Sequence, residues 1–167
     1  MLIDIHSHLD HPDFDKDRED VLNNKMAIVV SGINPETNRD ALLMAEKHEN
    51  VKCTIGIYPK EAFEGERKQL GYKDFDINEE ITWMDAQIKG DKKRKRKLIF
   101  GVGEIGLDFV DIKRDNEKDK QKVEKDKELF VEQIRLAKKY NLPVVVHSRK
   151  AEEEVLDIIE KEKTNKV

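Results

Sequence analysis

The chain has 167 residues, enough for one domain with a substantial core and too few for two. Its net charge of -4 excludes a uniformly basic surface that would attract nucleic acid over the whole molecule. Cys53 is the only cysteine, which excludes an intrachain disulfide and favours a cytoplasmic location, and no apolar run reaches the ~20 residues of a membrane span.

Short apolar runs alternate with amphipathic stretches along the chain. The runs are rich in valine and isoleucine, which is typical of strands covered on both faces. They predict five strands, at residues 2–5, 27–30, 51–57, 99–102 and 144–146. The stretches between them predict helices at 36–48, 78–88, 127–140 and 151–160. Asn78 is a plausible N-cap of the second helix. This alternation predicts parallel βα units in an α/β sheet or barrel.

Two highly charged stretches interrupt the alternation. Residues 91–97 are Asp-Lys-Lys-Arg-Lys-Arg-Lys, and we predict a solvated loop there because no aromatic residue is interleaved to stack bases. Phosphate contacts or a nuclear-import signal are the alternatives. Residues 113–127 mix both charges without apolar anchors, which predicts an exposed loop grading into a helix. Neither stretch is a Gly/Ser-rich or Pro-rich linker, so residues 1–167 are predicted to form a single domain.

Side chains that can ligate a metal follow three of the predicted strands. His6 and His8 follow the first strand, and the period-two alternation of a strand places both on one face. Glu104 lies in a glycine-rich string after the fourth strand, and His147 directly follows the fifth. The C-terminal ends of parallel barrel strands meet at one rim, where active sites form. These four residues therefore predict a site for a divalent metal.

Each candidate also has a structural interpretation. The glycines around Glu104 let backbone and metal approach closely, which suits a carboxylate bridging two cations, but a glycine turn with an exposed glutamate is the alternative. A nucleotide-binding fingerprint is rejected, because the string lies late in the chain and precedes a charged loop. Arg149 is predicted to bind an anionic group or to form a salt bridge at the rim. His11 and His48 are predicted to be surface residues.

Four motifs resemble the TatD family of metal-dependent deoxyribonucleases. They lie at 3–10 (Ile-Asp-Ile-His-Ser-His-Leu-Asp), 56–59 (Gly-Ile-Tyr-Pro), 103–108 (Gly-Glu-Ile-Gly-Leu-Asp) and 133–149, which ends in Val-Val-Val-His-Ser-Arg. The resemblance covers the whole chain and implies a partial TIM-type (β/α) barrel, with about five parallel strands and flanking helices. It also implies that His6, His8, Glu104 and His147 are metal ligands, the same residues that the strand ends indicate.

The chain departs from the family's pattern in three places. Tyr58 stands where many relatives carry histidine, and Phe109 stands where a tyrosine often follows Gly-Leu-Asp. The family's pattern also continues into strands that end in a further ligand histidine and in an aspartate that serves the attacking water. A barrel of this type usually needs ~250 residues. We therefore expect an N-terminal portion of the barrel that is weakly active or inactive and self-associates through open sheet edges.

The resemblance implies a divalent-metal-dependent hydrolase of phosphodiester bonds, with DNA as the expected substrate. Two ions are expected, and zinc, magnesium and manganese all remain open. Glu104 is expected at the catalytic centre as the bridging ligand, and Arg149 is expected to steady a phosphate. One alternative is a metal-dependent amide or ester hydrolase. Another is a non-catalytic metal- or nucleic-acid-binding module that uses the basic residues at 92–97.

Overall fold

Five parallel strands form one sheet, and they lie side by side in their chain order. The computed structural model describes residues 2–59, 68, 71, 73–110, 112, 117–164 and 166–167. In that part the strands are β1 (Ile3–Ser7), β2 (Ala27–Ser31), β3 (Val51–Ile55), β4 (Ile99–Asp108) and β5 (Val144–Arg149). The order β1-β2-β3-β4-β5 is that of a wound barrel, whereas a doubly wound sheet reverses its order. The predicted partial (β/α) barrel is confirmed.

Helices follow the strands and cover the sheet. They are α1 (Arg18–Leu22), α2 (Pro35–Lys47), α3 (Ile77–Asp91), α4 (Glu117–Tyr140) and α5 (Glu152–Lys161), with a one-turn 3-10 helix at Pro12–Phe14. Helix α2 packs on β2 and β3, α4 packs on β4, and α5 packs on β5. The core lies between these helices and the sheet. Among the described residues, no helix combines the length and apolar character needed to cross a membrane.

The starts of two helices differ from the prediction. Asn78 does not cap α3, because Asp76 precedes the helix and its carboxylate accepts hydrogen bonds from the backbone N–H groups of Asn78 and Glu79. The stretch predicted as a loop grading into a helix is helical from Glu117 onwards, and residues 113–116 lie outside the described residues. Its mixed charges lie along the helix, where pairs such as Lys120 with Glu117 stand one turn apart.

Strand β4 is longer than predicted, and Glu104 lies within it rather than in a glycine turn. Its glycines permit close contact with β5. A Cβ on Gly103 would lie 2.7 Å from the Val145 Cβ, and one on Gly106 would lie 2.0 Å from the His147 carbonyl oxygen. Gly106 also has a φ of 143°, which side chains rarely adopt. The two strands therefore continue side by side, and β5 includes His147, which was predicted to follow it.

Two buried amide side chains hold the segment after β3. The Asn38 amide exchanges hydrogen bonds with the N–H and carbonyl of Gly56, at 2.9 and 3.0 Å. The Gln133 amide does the same with Ile57, at 2.7 and 3.1 Å. These side chains take the place of strand partners, which explains why β3 ends two residues earlier than predicted. They also fix the backbone immediately before Tyr58.

The basic stretch at 91–97 forms the predicted loop at the N-terminal end of β4. Arg96 donates hydrogen bonds to the carbonyls of Ala45, Glu46 and His48 and so satisfies the C-terminal end of α2. Lys97 donates to three carbonyls of its own loop, among them that of Asp91. In a parallel sheet this loop lies at the end opposite the strand C-termini.

Among the described residues β1 has no strand on its outer side, whereas β5 has one backbone hydrogen bond beyond it. On β1 and just before it, large apolar side chains are exposed, with values of 76% for Leu2, 58% for Ile3 and 66% for Ile5. Beyond β5, the carbonyl of Lys166 accepts a hydrogen bond from the Val144 N–H at 2.8 Å. The apolar β1 edge agrees with the expected open sheet edge.

Candidate metal centre

Glu104 is a buried carboxylate at the centre of a cluster of three imidazoles. It is 8% exposed and lies in β4. Its Oε2 lies 3.3 Å from Nε2 of His6 and 3.3 Å from Nε2 of His8, while its Oε1 lies 3.1 Å from Nδ1 of His147. The structure therefore brings the four predicted ligands together from β1, the residue directly after it, β4 and β5.

The His8 ring is oriented by a backbone carbonyl. Its Nδ1 lies 3.1 Å from the carbonyl oxygen of Ser31, which can only accept a hydrogen bond, so Nδ1 carries a proton. The Nε2 atom of a neutral His8 ring then presents a lone pair to Glu104. Two lone pairs at this distance repel unless a cation lies between them. This arrangement favours a bound metal ion or a second proton.

The His6 ring is oriented by a hydroxyl. Its Nδ1 lies 3.0 Å from Oγ of Ser31, which also accepts a hydrogen bond from the Thr54 hydroxyl at 3.1 Å. A hydroxyl can donate or accept, so this contact suits either tautomer of His6. Ser31 thus orients two ligand candidates at once, one with its hydroxyl and the other with its carbonyl. This role was not predicted, because it depends on the pairing of β1 with β2.

The His147 ring lies between two carboxylates. Its Nδ1 faces Glu104, and its Nε2 lies 3.3 Å from Oδ2 of Asp108 and 2.9 Å from the Tyr58 hydroxyl. Asp108 is buried and also accepts a hydrogen bond from Arg149, with its Nη2 at 2.8 Å. From the sequence, Asp108 received no role and Tyr58 was identified only as a departure from the family's pattern, although both lie in the motifs that carry the family resemblance.

The three contacts to imidazoles shift the ionisation of the cluster. Burial favours the neutral form of Glu104, but the hydrogen bonds with His147, His6 and His8 outweigh it and hold its pKa well below the ordinary value. The hydrogen bond to Glu104 raises the pKa of His8, although burial opposes that shift. Burial and the nearby Asp108 raise the pKa of Tyr58, which keeps it a neutral hydroxyl. The carboxylate is therefore charged and ready to bind a cation.

The donor set fits a divalent cation. One oxygen of Glu104 and one nitrogen of each of His6 and His8 lie within 4.8 Å of one another. Ligands of a tetrahedral zinc at ~2.0–2.2 Å stand about 3.3 Å from one another, which is close to the two distances of 3.3 Å from Oε2 of Glu104 to Nε2 of His6 and of His8. The third imidazole contacts the other oxygen of the same carboxylate. A carboxylate that has an imidazole beside each of its two oxygens can bridge two ions, each held also by an imidazole.

The other residues singled out in the sequence lie at different distances from this centre. Arg149 forms the predicted rim salt bridge, with Asp108 as its partner, and its side chain is 51% exposed. A cavity of about 400 Å³ opens in front of the cluster, and Asp10 and His11 contribute to its lining. His11 is exposed as predicted, whereas the His48 side chain is only 13% exposed beside Glu19. His48 is more buried than expected because it ends α2 against the rest of the fold.

Comparisons with known proteins agree with this fold. The family model described as "TatD related DNase" matches residues 3–167. The chain is 30% identical to the "Uncharacterized metal-dependent hydrolase YabD" of Bacillus subtilis over 97% of its length and 56% of the relative. It is 31% identical to the human "Deoxyribonuclease TATDN3", over 99% of its length and 58% of the relative.

A solved structure also matches. The crystal structure of YjjV, a TatD homologue from Escherichia coli K12, has a TM-score of 0.72 and 25% identity, over 96% of this chain and 56% of that one. The chain therefore spans about half the length of the proteins that it matches.

Proposed function

Because the chain belongs to the family of TatD-related DNases, we propose that its rim site binds divalent cations and hydrolyses phosphodiester bonds in DNA. Members of this family are named deoxyribonucleases and metal-dependent hydrolases. The observation that carries the proposal is the convergence of three imidazoles on the buried carboxylate of Glu104.

The proposed ligands divide between the two oxygens of Glu104. His6 and His8, which face Oε2 of Glu104, would hold one cation with that residue, and His147, which faces Oε1, would contribute to a second. Zinc, manganese and magnesium all suit imidazole and carboxylate ligands to different degrees. When bound, such ions lower the pKa of a coordinated water and neutralise charge on phosphate oxygens. The protein itself fixes the orientation of the imidazoles, because Ser31 contacts the rings of His6 and His8 and Asp108 contacts the ring of His147.

Arg149 is proposed to steady a phosphate at the edge of the site. Its guanidinium contacts the buried Asp108, which in turn lies beside Tyr58 and His147 of the cavity wall, and half of the Arg149 side chain is exposed. A guanidinium has five N–H donors, so one carboxylate does not exhaust them. We propose single-stranded DNA as the first substrate to test, since one relative, from Escherichia fergusonii, is named "3'-5' ssDNA/RNA exonuclease TatD".

The two alternatives from the sequence receive less support. The basic loop at 92–97 lies at the end of the sheet opposite the site, and Arg96 and Lys97 bind backbone carbonyls there. This position does not favour a nucleic-acid-binding module based on that loop. An amide or ester hydrolase would use the same ligands, but the names of the relatives favour phosphodiesters.

Hydrolysis by the 167-residue chain tests the proposed function. A 5′-labelled single-stranded oligonucleotide is incubated with the chain and with zinc, manganese or magnesium, alongside a p-nitrophenyl ester. We expect slow, metal-dependent cleavage of the oligonucleotide that His6→Ala and Glu104→Ala abolish. His48→Ala is the matched control, because this histidine lies at the opposite end of the sheet, and it should retain cleavage. Cleavage unchanged by His6→Ala and Glu104→Ala would refute the proposal, as would cleavage of the ester alone.

We also propose that the chain self-associates through its β1 edge and resides in the cytoplasm. Leu2, Ile3 and Ile5 are exposed there, and an unpaired apolar strand edge is a site for pairing with a second copy. Sedimentation over a range of concentrations should show oligomers that Ile3→Lys with Ile5→Lys disperses. A monomer at all concentrations would contradict this.

The cytoplasmic proposal rests on Cys53, the one cysteine, which is buried and unpaired.

A further inference from the structure

We propose that a cavity at the N-terminal end of α2 binds a phosphate group of the DNA strand, to one side of the phosphate that the metal centre hydrolyses. The inference rests on the proposed function, because that function makes a phosphodiester strand the ligand. It adds a second contact with the strand, made by residues that the metal centre does not use.

The cavity opens at the same rim as the metal centre. Helix α2 begins shortly after β2 ends, so its N-terminal end lies at the C-terminal end of that strand. A cavity of about 330 Å³ is lined there by residues 34–36 and 73–75 and by Arg39. Ile33 lines the cavity in front of the metal cluster. Because Ile33 and Asn34 are consecutive, the two cavities are neighbours, and a strand bound at the metal centre can reach both.

Asn34 brings a buried donor without a partner to this cavity. The residue is only 2% exposed. Its Oδ1 accepts a hydrogen bond from the Thr37 N–H at 3.0 Å and so caps α2. The Nδ2 atom lies on the other side of the amide, and within the described part of the chain it has no hydrogen-bond partner. A buried N–H group without an acceptor costs free energy, which a ligand oxygen in the cavity would recover.

The first turn of α2 adds a backbone donor. Pro35 has no N–H, and the Thr37 N–H is bound to Oδ1 of Asn34. The Asn38 N–H donates to the Asn34 carbonyl at 2.8 Å. Among the described residues this leaves the Glu36 N–H without an acceptor. The 13 residues of α2 also place a partial positive charge at this end, and phosphate is a ligand that such helix ends bind.

Two basic side chains complete the wall of the cavity. Nη1 of Arg39 lies 2.9 Å from Oε2 of the buried Glu80, and the guanidinium lies 4.0 Å from the centre of the Trp83 ring. These contacts hold the guanidinium in place, while its Nε and Nη2 have no acceptor among the described residues. Lys73 is exposed and forms no ion pair in the same part of the chain. Both side chains can therefore donate to a ligand.

The chemistry of these groups favours phosphate over a nucleobase. Nδ2 of Asn34, the Glu36 N–H and the two basic side chains all donate hydrogen bonds. The oxygens of a phosphodiester only accept them, whereas the edges of most bases present donors as well as acceptors. Hydrogen bonds from a guanidinium or an ammonium group to phosphate are also stronger than those to a neutral base.

Two carboxylates also line the cavity, and they have different partners. Asp74 pairs with Lys68, whose Nζ lies 3.4 Å from its Oδ2. Glu36 has no ion pair among the described residues, so its charge would repel a phosphate. The proposal therefore predicts that removing the donors weakens binding, whereas removing the charge of Glu36 strengthens it.

Binding to the metal-free 167-residue chain tests the inference, with inorganic phosphate and a single-stranded oligonucleotide as the two probes. A chelator keeps the strand intact. Trp83 is the only tryptophan and lies beside Arg39, so its fluorescence reports a ligand at this cavity. We expect both probes to change the emission saturably, with tighter binding of the oligonucleotide. An oligonucleotide with a neutral methylphosphonate at every linkage should leave the emission unchanged.

Three variants identify the residues that bind the probes. Asn34→Asp keeps the capping oxygen but replaces the unpartnered donor with a carboxylate oxygen, so affinity for both probes should fall at least about 10-fold. Lys73→Gln should reduce the slope of log affinity against log salt concentration by about 0.7 for the oligonucleotide. Glu36→Gln should raise the affinity about 2- to 5-fold.

Lys89→Gln is the matched control for Lys73→Gln. Lys89 is also exposed, but it lies in the last turn of α3, at the opposite end of the sheet, and its replacement should leave both probes unaffected. Because Lys73 is exposed, Lys73→Gln keeps the test independent of any loss of folding in Asn34→Asp.

The possible outcomes separate this inference from the proposed function. Unaltered oligonucleotide binding in Asn34→Asp and Lys73→Gln would overturn the inference, as would emission that responds to neither probe or to inorganic phosphate alone. With metal added, these two variants should raise the KM for the oligonucleotide and leave kcat unchanged. Cleavage with an unchanged KM would overturn the inference and leave the proposed function intact. Oligonucleotide binding that the variants weaken, without cleavage in any metal, would support the inference and count against the proposed function.

Discussion

Gly106→Ala tests whether close contact between β4 and β5 creates the metal centre. The added Cβ would lie 2.0 Å from the His147 carbonyl oxygen, whereas ordinary contact begins at 3.4 Å. The strands must therefore separate locally by about 1.4 Å. Because His147 pairs directly with Gly106, its Nδ1 would lose its position 3.1 Å from Glu104. The φ of 143° adds backbone strain for any residue with a side chain.

Backbone strain and overpacking together predict a decrease of about 2–6 kcal/mol in the free energy of unfolding. Urea denaturation measures this decrease, and a zinc titration below the unfolding transition should show affinity reduced by more than about 10-fold. Gly90→Ala is the control, because nothing lies within 4 Å of its added Cβ in α3. It should stabilise the chain by about 0.5–1 kcal/mol with unchanged zinc binding. Equal stability and zinc affinity in the two variants would refute the reasoning.

Three further predictions concern Glu104, His8 and Glu80. Glu104→Gln removes the charge that three imidazoles share, so zinc affinity measured by calorimetry should fall more than about 100-fold; an unchanged affinity would count against the site. In the metal-free chain the pKa of His8 is raised in the fold, so protonated His8 stabilises the fold. This contribution is fully present below pH 6.5 and disappears as pH rises through the raised pKa. The free energies of unfolding of the wild type and of His8→Gln, measured by urea denaturation, should therefore converge at high pH. A difference that stays constant with pH would contradict the assignment. Glu80 is buried and accepts hydrogen bonds from Asn38 and Arg39, so Glu80→Gln should lower the free energy of unfolding by about 1–3 kcal/mol. Because Glu80→Gln keeps an oxygen that can accept from Asn38, the Asn38 amide should still hold Gly56 before Tyr58 and zinc affinity should stay unchanged; a parallel loss of zinc binding would contradict this.

The element order and the grouping of the ligand candidates could be predicted because both depend on local patterns. Alternating apolar runs and amphipathic stretches predicted parallel βα units in a sheet or barrel, and the family resemblance then favoured the barrel, whose strands lie in chain order. The strand ends then predicted that His6, His8, Glu104 and His147 meet at one rim, as they do. Neither step required knowledge of contacts between distant residues, because parallel strands place their C-terminal ends together.

The details that local patterns could not predict all depend on contacts between distant segments. Glycines predict a turn, but Gly103 and Gly106 lie in β4 because β5 packs against them. The role of Asp108 depends on Arg149, a partner 41 residues away. Tyr58 reaches His147 only because buried amides from two helices hold the segment before it. Such contacts leave no periodic signal along the chain.

Anomalous diffraction from crystals of the 167-residue chain soaked in zinc tests the central claim most directly. The account predicts a zinc peak at ~2.0–2.2 Å from Nε2 of His6, Nε2 of His8 and an oxygen of Glu104. Zinc peaks found only elsewhere, with none at coordination distance from Glu104, would contradict it.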